Sequence, residues 1–204
     1  MNRVLFIVDV QNDFTEGGAL GVDGGTAVAA GIAELLSAYP DRYAHVVASR
    51  DWHDATGDNG GHFATDAAPD YTVTWPVHCV AGTTGAEYHP ALRLDAVDVH
   101  VRKGMGEPAY SLFEGVTEGG ETVRQLLDAW GADEVDVVGI ATDHCVRASA
   151  LDAVAAGRRV RVLRDLVAGV APASSAAALE ELAAAGAEIV DSRERPVGDD
   201  EPTA

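Results

Sequence analysis

Apolar positions along this chain fall into short runs, and two kinds of run alternate. The segments 4–8 and 135–140 are nearly continuous and rich in Val and Ile, as strands buried on both faces of a parallel sheet are. Strands are expected near 3–10, 44–50, 97–103, 134–140, 159–164 and 187–190. Between them the period changes. Val146, Ala150, Leu151 and Val154 form a stripe at helical spacing within 143–156. The Ala-rich stretch 173–185 is bracketed by Pro172 and Gly186, a helix start and a helix stop. Helices also fit 26–38 and 120–130. Strands alternating with helices imply a three-layer α/β/α fold around a six-stranded, mainly parallel sheet. The chain reads as one domain over 1–191 with no internal repeat. A polar tail follows over 192–204, with Pro196 and Pro202, and is expected to fray.

Polar groups with chemical potential stand at the ends of these strands. VDVVGIATDHCVRASA runs from 135 to 150. Thr142 and Asp143 are helix-start residues, which puts Cys145 in the first turn of a helix just past a strand. There, helix-end N–H groups and the helix dipole favour a thiolate. A packed, inert cysteine is the plainer alternative. Of the 14 Lys and Arg residues only Lys103 is a lysine, and it ends the run Val97, Val99, Val101. A compact ammonium at a strand end differs in kind from the forked guanidinium used elsewhere. Asp9 closes the first strand, where a carboxylate is costly unless paired or used. In a parallel sheet these ends share one edge, placing an acid, an amine and a thiol together. A base beside a nucleophile is the arrangement of covalent catalysis.

One segment breaks the rhythm. From 51 to about 95 no helix or strand is evident, and the stretch holds four of the seven histidines, His53, His62, His78 and His89. A long loop inside a compact domain is usually functional. Asp51 and His53 project the same way in extended chain, and His78 follows a Trp-Pro turn. One carboxylate and two imidazoles suit Zn, Fe or Mn with positions left open. Solvated loop side chains are the competing reading.

Composition narrows the partners. The 204 residues are 47% hydrophobic and 23% charged, as in an ordinary globular domain. The formal net charge of −19 argues against nucleic acid and anionic membrane as partners. No apolar run is long enough to span a bilayer, and the start reads as a strand rather than a signal peptide. Cys79 and Cys145 do not make a disulfide framework, so a reducing cytoplasm is the expected compartment. A homo-oligomer is compatible with the size.

Together the motifs IVDVQNDF, DWH, WPVHCVAGTTGAEYHP, KG at 103–104, AYSLFEG and VGIATDHCV resemble the nicotinamidases of the isochorismatase-like cysteine hydrolase family. The resemblance runs from Asp9 to the strand near Val190. It implies a catalytic triad of Asp9, Lys103 and Cys145. It also implies a divalent metal ion on Asp51, His53 and His78, with His62 at a position that is a ligand in some relatives. A cis peptide is expected at Ile140–Ala141, with the backbone N–H groups of Ala141 and Cys145 forming an oxyanion hole. Phe14, Trp75, Tyr110 and Ala141 match pocket positions for a nicotinamide ring. The implied reaction releases ammonia and nicotinic acid from nicotinamide and needs no organic cofactor.

Other readings give way on particular residues. Hydrolysis of maleamate or N-carbamoyl amino acids would use a similar triad but would not need the DWH and WPVH motifs. An isochorismatase cleaves a vinyl ether and makes no use of a nucleophilic cysteine. A silent binding protein on the same fold would not be expected to keep all three triad residues. A redox protein would be expected to carry C-x-x-C.

Overall fold

The computed structural model of the chain describes residues 2–194. Of the polar tail expected from Ser192 onward, residues 195–204 lie outside the described residues. Ser192 itself is buried and bonded to the Asp165 carboxylate through its N–H (2.7 Å) and hydroxyl (2.6 Å).

Among the described residues seven strands form one sheet: β1 (Arg3–Val8), β2 (His45–Asp51), β3 (Val99–Lys103), β4 (Val116–Thr117), β5 (Glu134–Ile140), β6 (Arg159–Ala168) and β7 (Glu188–Val190). Their order is β4-β3-β2-β1-β5-β6-β7. All pairings are parallel except β3 with β4. The expected six strands are therefore joined by a two-residue antiparallel edge, too short to leave any periodicity in the sequence. The helices are α1 (Gly25–Ala38), α2 (Val123–Trp130), α3 (Arg147–Ala155) and α4 (Pro172–Ala184).

Every residue of β1 is buried, and the pleat divides them between two cores. Leu5 and Ile7 pack with Val28, Ala29 and Ile32 of α1. Val4, Phe6 and Val8 pack with Val123 and Leu127 of α2, Ala150 and Ala153 of α3, and Leu182 of α4. This is why the strand reads as an unbroken apolar run. β6 continues four residues beyond the expected end at 164. The polar pair Arg164 and Asp165 interrupts its apolar pattern, but Arg164 pairs with Asp191 and Asp165 holds Ser192. A register shift between Val137 and Gly139 lets the far end of β6 rejoin β5. Gly139 (φ +119°) sits where a Cβ would lie 2.1 Å from the Val8 carbonyl oxygen.

The chain winds from β1 through β2 to β3 on one side and from β5 through β6 to β7 on the other. The strand order reverses between β1 and β5, and their carboxyl ends flank the crevice where open α/β sheets bind ligands.

Candidate active site

Asp9 follows the last residue of β1 in a left-handed conformation, φ 46°, which turns its carboxylate under the sheet edge. Ser49 on β2 donates its hydroxyl to Asp9 Oδ1 at 2.6 Å. Lys103 ends β3 opposite Asp51 of β2. Its ammonium lies 2.9 Å from Asp9 Oδ2, contacts Asp51 Oδ1, and donates to Cys145 Sγ at 3.6 Å and to the Ala109 carbonyl at 3.2 Å. Ligand atoms of Asp9, Asp51 and Cys145 all lie within 4.8 Å of one another. The structure thus gathers the acid, the amine and the thiol from three strand ends into one buried cluster.

Burial and the lone cation set the protonation of this cluster in opposite directions. Burial raises the Asp9 pKa, against the pull of Lys103. Burial likewise pushes the Cys145 thiol well up, with Lys103 opposing. Burial works against the Lys103 ammonium, but Asp51 and Asp9 outweigh it and hold its pKa well above that of an ordinary lysine. Burial also opposes ionisation of Asp51, yet Lys103, His53 and His78 keep it well below the usual range. The resting cysteine is therefore a thiol that needs a base.

The helical turn expected just past β5 is present, in a wider form than an α-helical start. Cys145 lies in a wide π-helical turn, Thr142–Val146, and α3 begins only at Arg147. The turn closes through the Val146 N–H to the Ala141 carbonyl at 3.1 Å. The peptide bond Ile140–Ala141 is cis.

The loop after β2 folds into a cross-linked knot of short backbone bridges. The His53 N–H bonds the Cys79 carbonyl at 3.0 Å, and the Trp75 N–H bonds the His62 carbonyl at 2.9 Å. These bridges bring His53, His62 and His78 to ring-centroid separations of 4.7–5.2 Å. All three rings are buried. His53 Nδ1 donates to the Gly104 carbonyl and His78 Nδ1 to the Pro76 carbonyl, each at 2.7 Å. A carbonyl can only accept, so each Nδ1 carries its proton, and a ring bound to a metal ion would offer the lone pair of its Nε2. Those Nε2 atoms lie 3.6 and 3.7 Å from Asp51 Oδ2. Ligands about 2.1 Å from a tetrahedral ion stand about 3.4 Å apart, so the spacing fits one. His53 Nε2 and His62 Nδ1 are buried without a hydrogen-bond partner. Burial foremost, with His53 and His78 beside it, holds His62 down to a pKa of about 3, which leaves its ring neutral. One carboxylate and three imidazoles with free lone pairs fit a divalent metal ion.

The thiol and the cluster open on one cavity of about 340 Å³, at the small end of ligand pockets. Its walls include Asp51, His62, His78 and Cys145 together with Phe14, Trp75, Tyr110 and Ala141. Asp9, Lys103 and His53 stand behind that wall. Trp75 Nε1 donates to the Tyr110 hydroxyl at 3.0 Å, which braces two aromatic faces. Phe14 packs on His78 with ring centroids 5.4 Å apart.

Several lining or bracing residues were not singled out from the sequence. His144 lines the cavity, its ring edge-on to Trp75 at 5.0 Å. Leu20, Tyr71 and Val170 also line it. Ser49 stands two residues before Asp51 on β2 and so shares its face, a spacing from which it could have been found.

Comparison with known proteins bears on the whole arrangement. The Isochorismatase domain model matches residues 3–194. The nicotinamidase/pyrazinamidase of Mycobacterium tuberculosis is 52% identical over 188 residues, covering 92% of this chain and 98% of that protein. The pyrazinamidase of Pyrococcus horikoshii, solved in complex with zinc, superposes with TM-score 0.79 at 38% identity, covering 94% of this chain and 99% of that one. A protein of L. infantum solved in complex with nicotinate gives TM-score 0.80 at 37% identity, covering 94% of this chain and 93% of that one.

Proposed function

The chain belongs to the isochorismatase family, and from that premise we propose that it hydrolyses nicotinamide to nicotinic acid and ammonia through a thioester on Cys145. One observation carries the reading. A buried acid, amine and thiol adjoin an Asp–His cluster, and Cys145, Asp51, His62 and His78 face one small cavity with flat aromatic walls.

The ring lies among Phe14, Trp75 and Tyr110, and the carboxamide points to Cys145. Asp9 takes the thiol proton. Lys103 keeps Asp9 in place and offsets the negative charge that passes to sulfur. The thiolate attacks the carboxamide carbon, and the backbone N–H groups of Ala141 and Cys145 receive the oxyanion. Asp9 returns the proton to the departing nitrogen, which leaves as ammonia. Water then attacks the thioester with Asp9 as base, and nicotinic acid departs with the thiol restored. Asp51, His53, His62 and His78 would hold the divalent ion, Zn, Fe or Mn. When bound, that ion would supply a Lewis acid at one end of the cavity.

Maleamate and N-carbamoyl amino acids each carry a carboxylate. Among the described residues, no arginine or lysine lines the cavity, which favours the neutral aromatic amide. The test is a substrate panel at matched concentration. Nicotinamide is expected to be turned over with the highest kcat/KM. A preference for maleamate or a carbamoyl amino acid would replace this assignment with the other amides.

A further inference from the structure

Two side chains of the segment 9–14 take no part in the chemistry above, yet Gln11 is committed to the backbone of Asp51 and Asp13 to that of Cys79, the residue after His78. Gln11 is fully buried. Its Oε1 accepts the Asp51 N–H at 2.8 Å, and its Nε2 donates to the Asp51 carbonyl at 3.0 Å and to the Ala86 carbonyl at 3.0 Å. It therefore grips both backbone polar groups of Asp51, as a neighbouring strand would. Asp13 reaches the other side of the cluster. Its Oδ2 accepts the N–H of Cys79 at 2.7 Å, and its Oδ1 that of Ala19 at 3.4 Å. Cys79 directly follows His78 and holds a left-handed φ of 45°, a conformation that needs surrounding support in a residue with a side chain. Phe14, next in the chain, packs its ring on His78.

We propose that Gln11 and Asp13 are positioning residues for the metal ion, Gln11 setting Asp51 and Asp13 setting His78. The short turn that follows Asp9 then does two things at once. It delivers the catalytic acid at its start and fixes two metal ligands along its length. Ligand geometry and the position of the acid become one rigid unit. The inference rests on the metal reading of the Asp–His cluster given above.

Partners outside the ligand set that orient ligands typically change metal affinity by about 10–100-fold when removed. The experiment measures Zn²⁺ and Mn²⁺ affinity of the metal-stripped full chain by competition with a chromophoric chelator. Thermal unfolding is followed with and without each metal. Gln11→Leu and Asp13→Ala are expected to weaken binding by about 10–100-fold. The metal-induced rise in Tm is expected to shrink in step. Asp13→Asn keeps an oxygen for the Cys79 N–H and is expected to recover part of the affinity. Variants that bind metal as the parent does, while their metal-free Tm falls, would make the two residues struts of the fold only and overturn the proposal. If Gln11→Leu does not fold, the Asp13 pair decides alone, and unchanged affinity in both overturns it. A parent protein that binds neither metal removes the metal reading itself, a result distinct from parent binding that the variants retain.

Discussion

Replacing Lys103 with Met tests the electrostatic core of the site. The side chain is fully buried, and its ammonium touches Asp9, Asp51 and Cys145. Met fills similar volume without charge. Two buried carboxylates would then face each other with their shared cation gone. Removing one partner of a buried ion pair costs about 3–5 kcal/mol. The chain can escape part of that cost by protonating Asp9, whose pKa burial already raises and Lys103 alone among its charged neighbours draws down. A protonated Asp9 cannot take the thiol proton. Loss of general-base function lowers rates by about 10²–10⁴-fold, so kcat/KM for nicotinamide is expected to fall in that range. The residual activity is expected to have its acidic limb at higher pH, because losing a nearby cation raises a carboxyl pKa. The assay is ammonia release from pH 5 to 9 with thermal unfolding alongside. A variant within a few-fold of the parent rate, with an unmoved acidic limb, would refute the reasoning.

Other perturbations probe separate parts. Cys145→Ala is expected to abolish ammonia release while Tm stays within a few degrees of the parent, since it removes one sulfur atom from a well-supported turn; measurable turnover would remove the nucleophile. Gly104→Ala would put a Cβ 2.6 Å from His53 Cε1 at φ +73°, so overpacking of about 1–3 kcal/mol is expected, along with weaker metal binding by chelator competition. Unchanged affinity would show that His53 can move aside. Glu16 accepts the N–H groups of Gly24 and Thr26 at the start of α1, and these bonds, with the Thr26 hydroxyl foremost, hold its pKa down to about 2 from 4.5. A lowered carboxyl pKa stabilises fully above the unfolded value and loses that effect as pH falls toward the folded one. Protection of the Gly24 and Thr26 amides, measured against intrinsic exchange at each pH, is therefore expected to fall between about pH 4.5 and 2, and to be low throughout in Glu16→Gln; a protection factor that does not change with pH in the parent would contradict it.

What the sequence disclosed follows the physics of each element. Strands buried on both faces announce themselves as apolar runs, and β1 and β5 were legible for that reason. β4 has two residues and no pattern to detect. The end of β6 was hidden because Arg164 and Asp165 find partners in the segment after β7. The stripe of Val146, Ala150, Leu151 and Val154 marked a helix but could not show that its first turn is widened around Cys145. In the site, charged and nucleophilic groups at strand ends stood out because they are costly where they sit. Gln11, Asp13 and Ser49 did not, since their partners are backbone groups or a residue far along the chain. His62 was the ambiguous histidine. Only the folded loop shows its ring beside His53 and His78 with a free buried nitrogen.

The most direct test is ammonia release from nicotinamide by the purified full chain, measured as isolated, after removal of metal by a chelator, and after Zn²⁺, Fe²⁺ or Mn²⁺ is returned. The account expects rapid release that stripping abolishes and one or more of these ions restores. No release from metal-replete protein, while another small amide is cleaved, would contradict the substrate assignment. Full release from protein shown by elemental analysis to be metal-free would contradict the role given to Asp51, His53, His62 and His78.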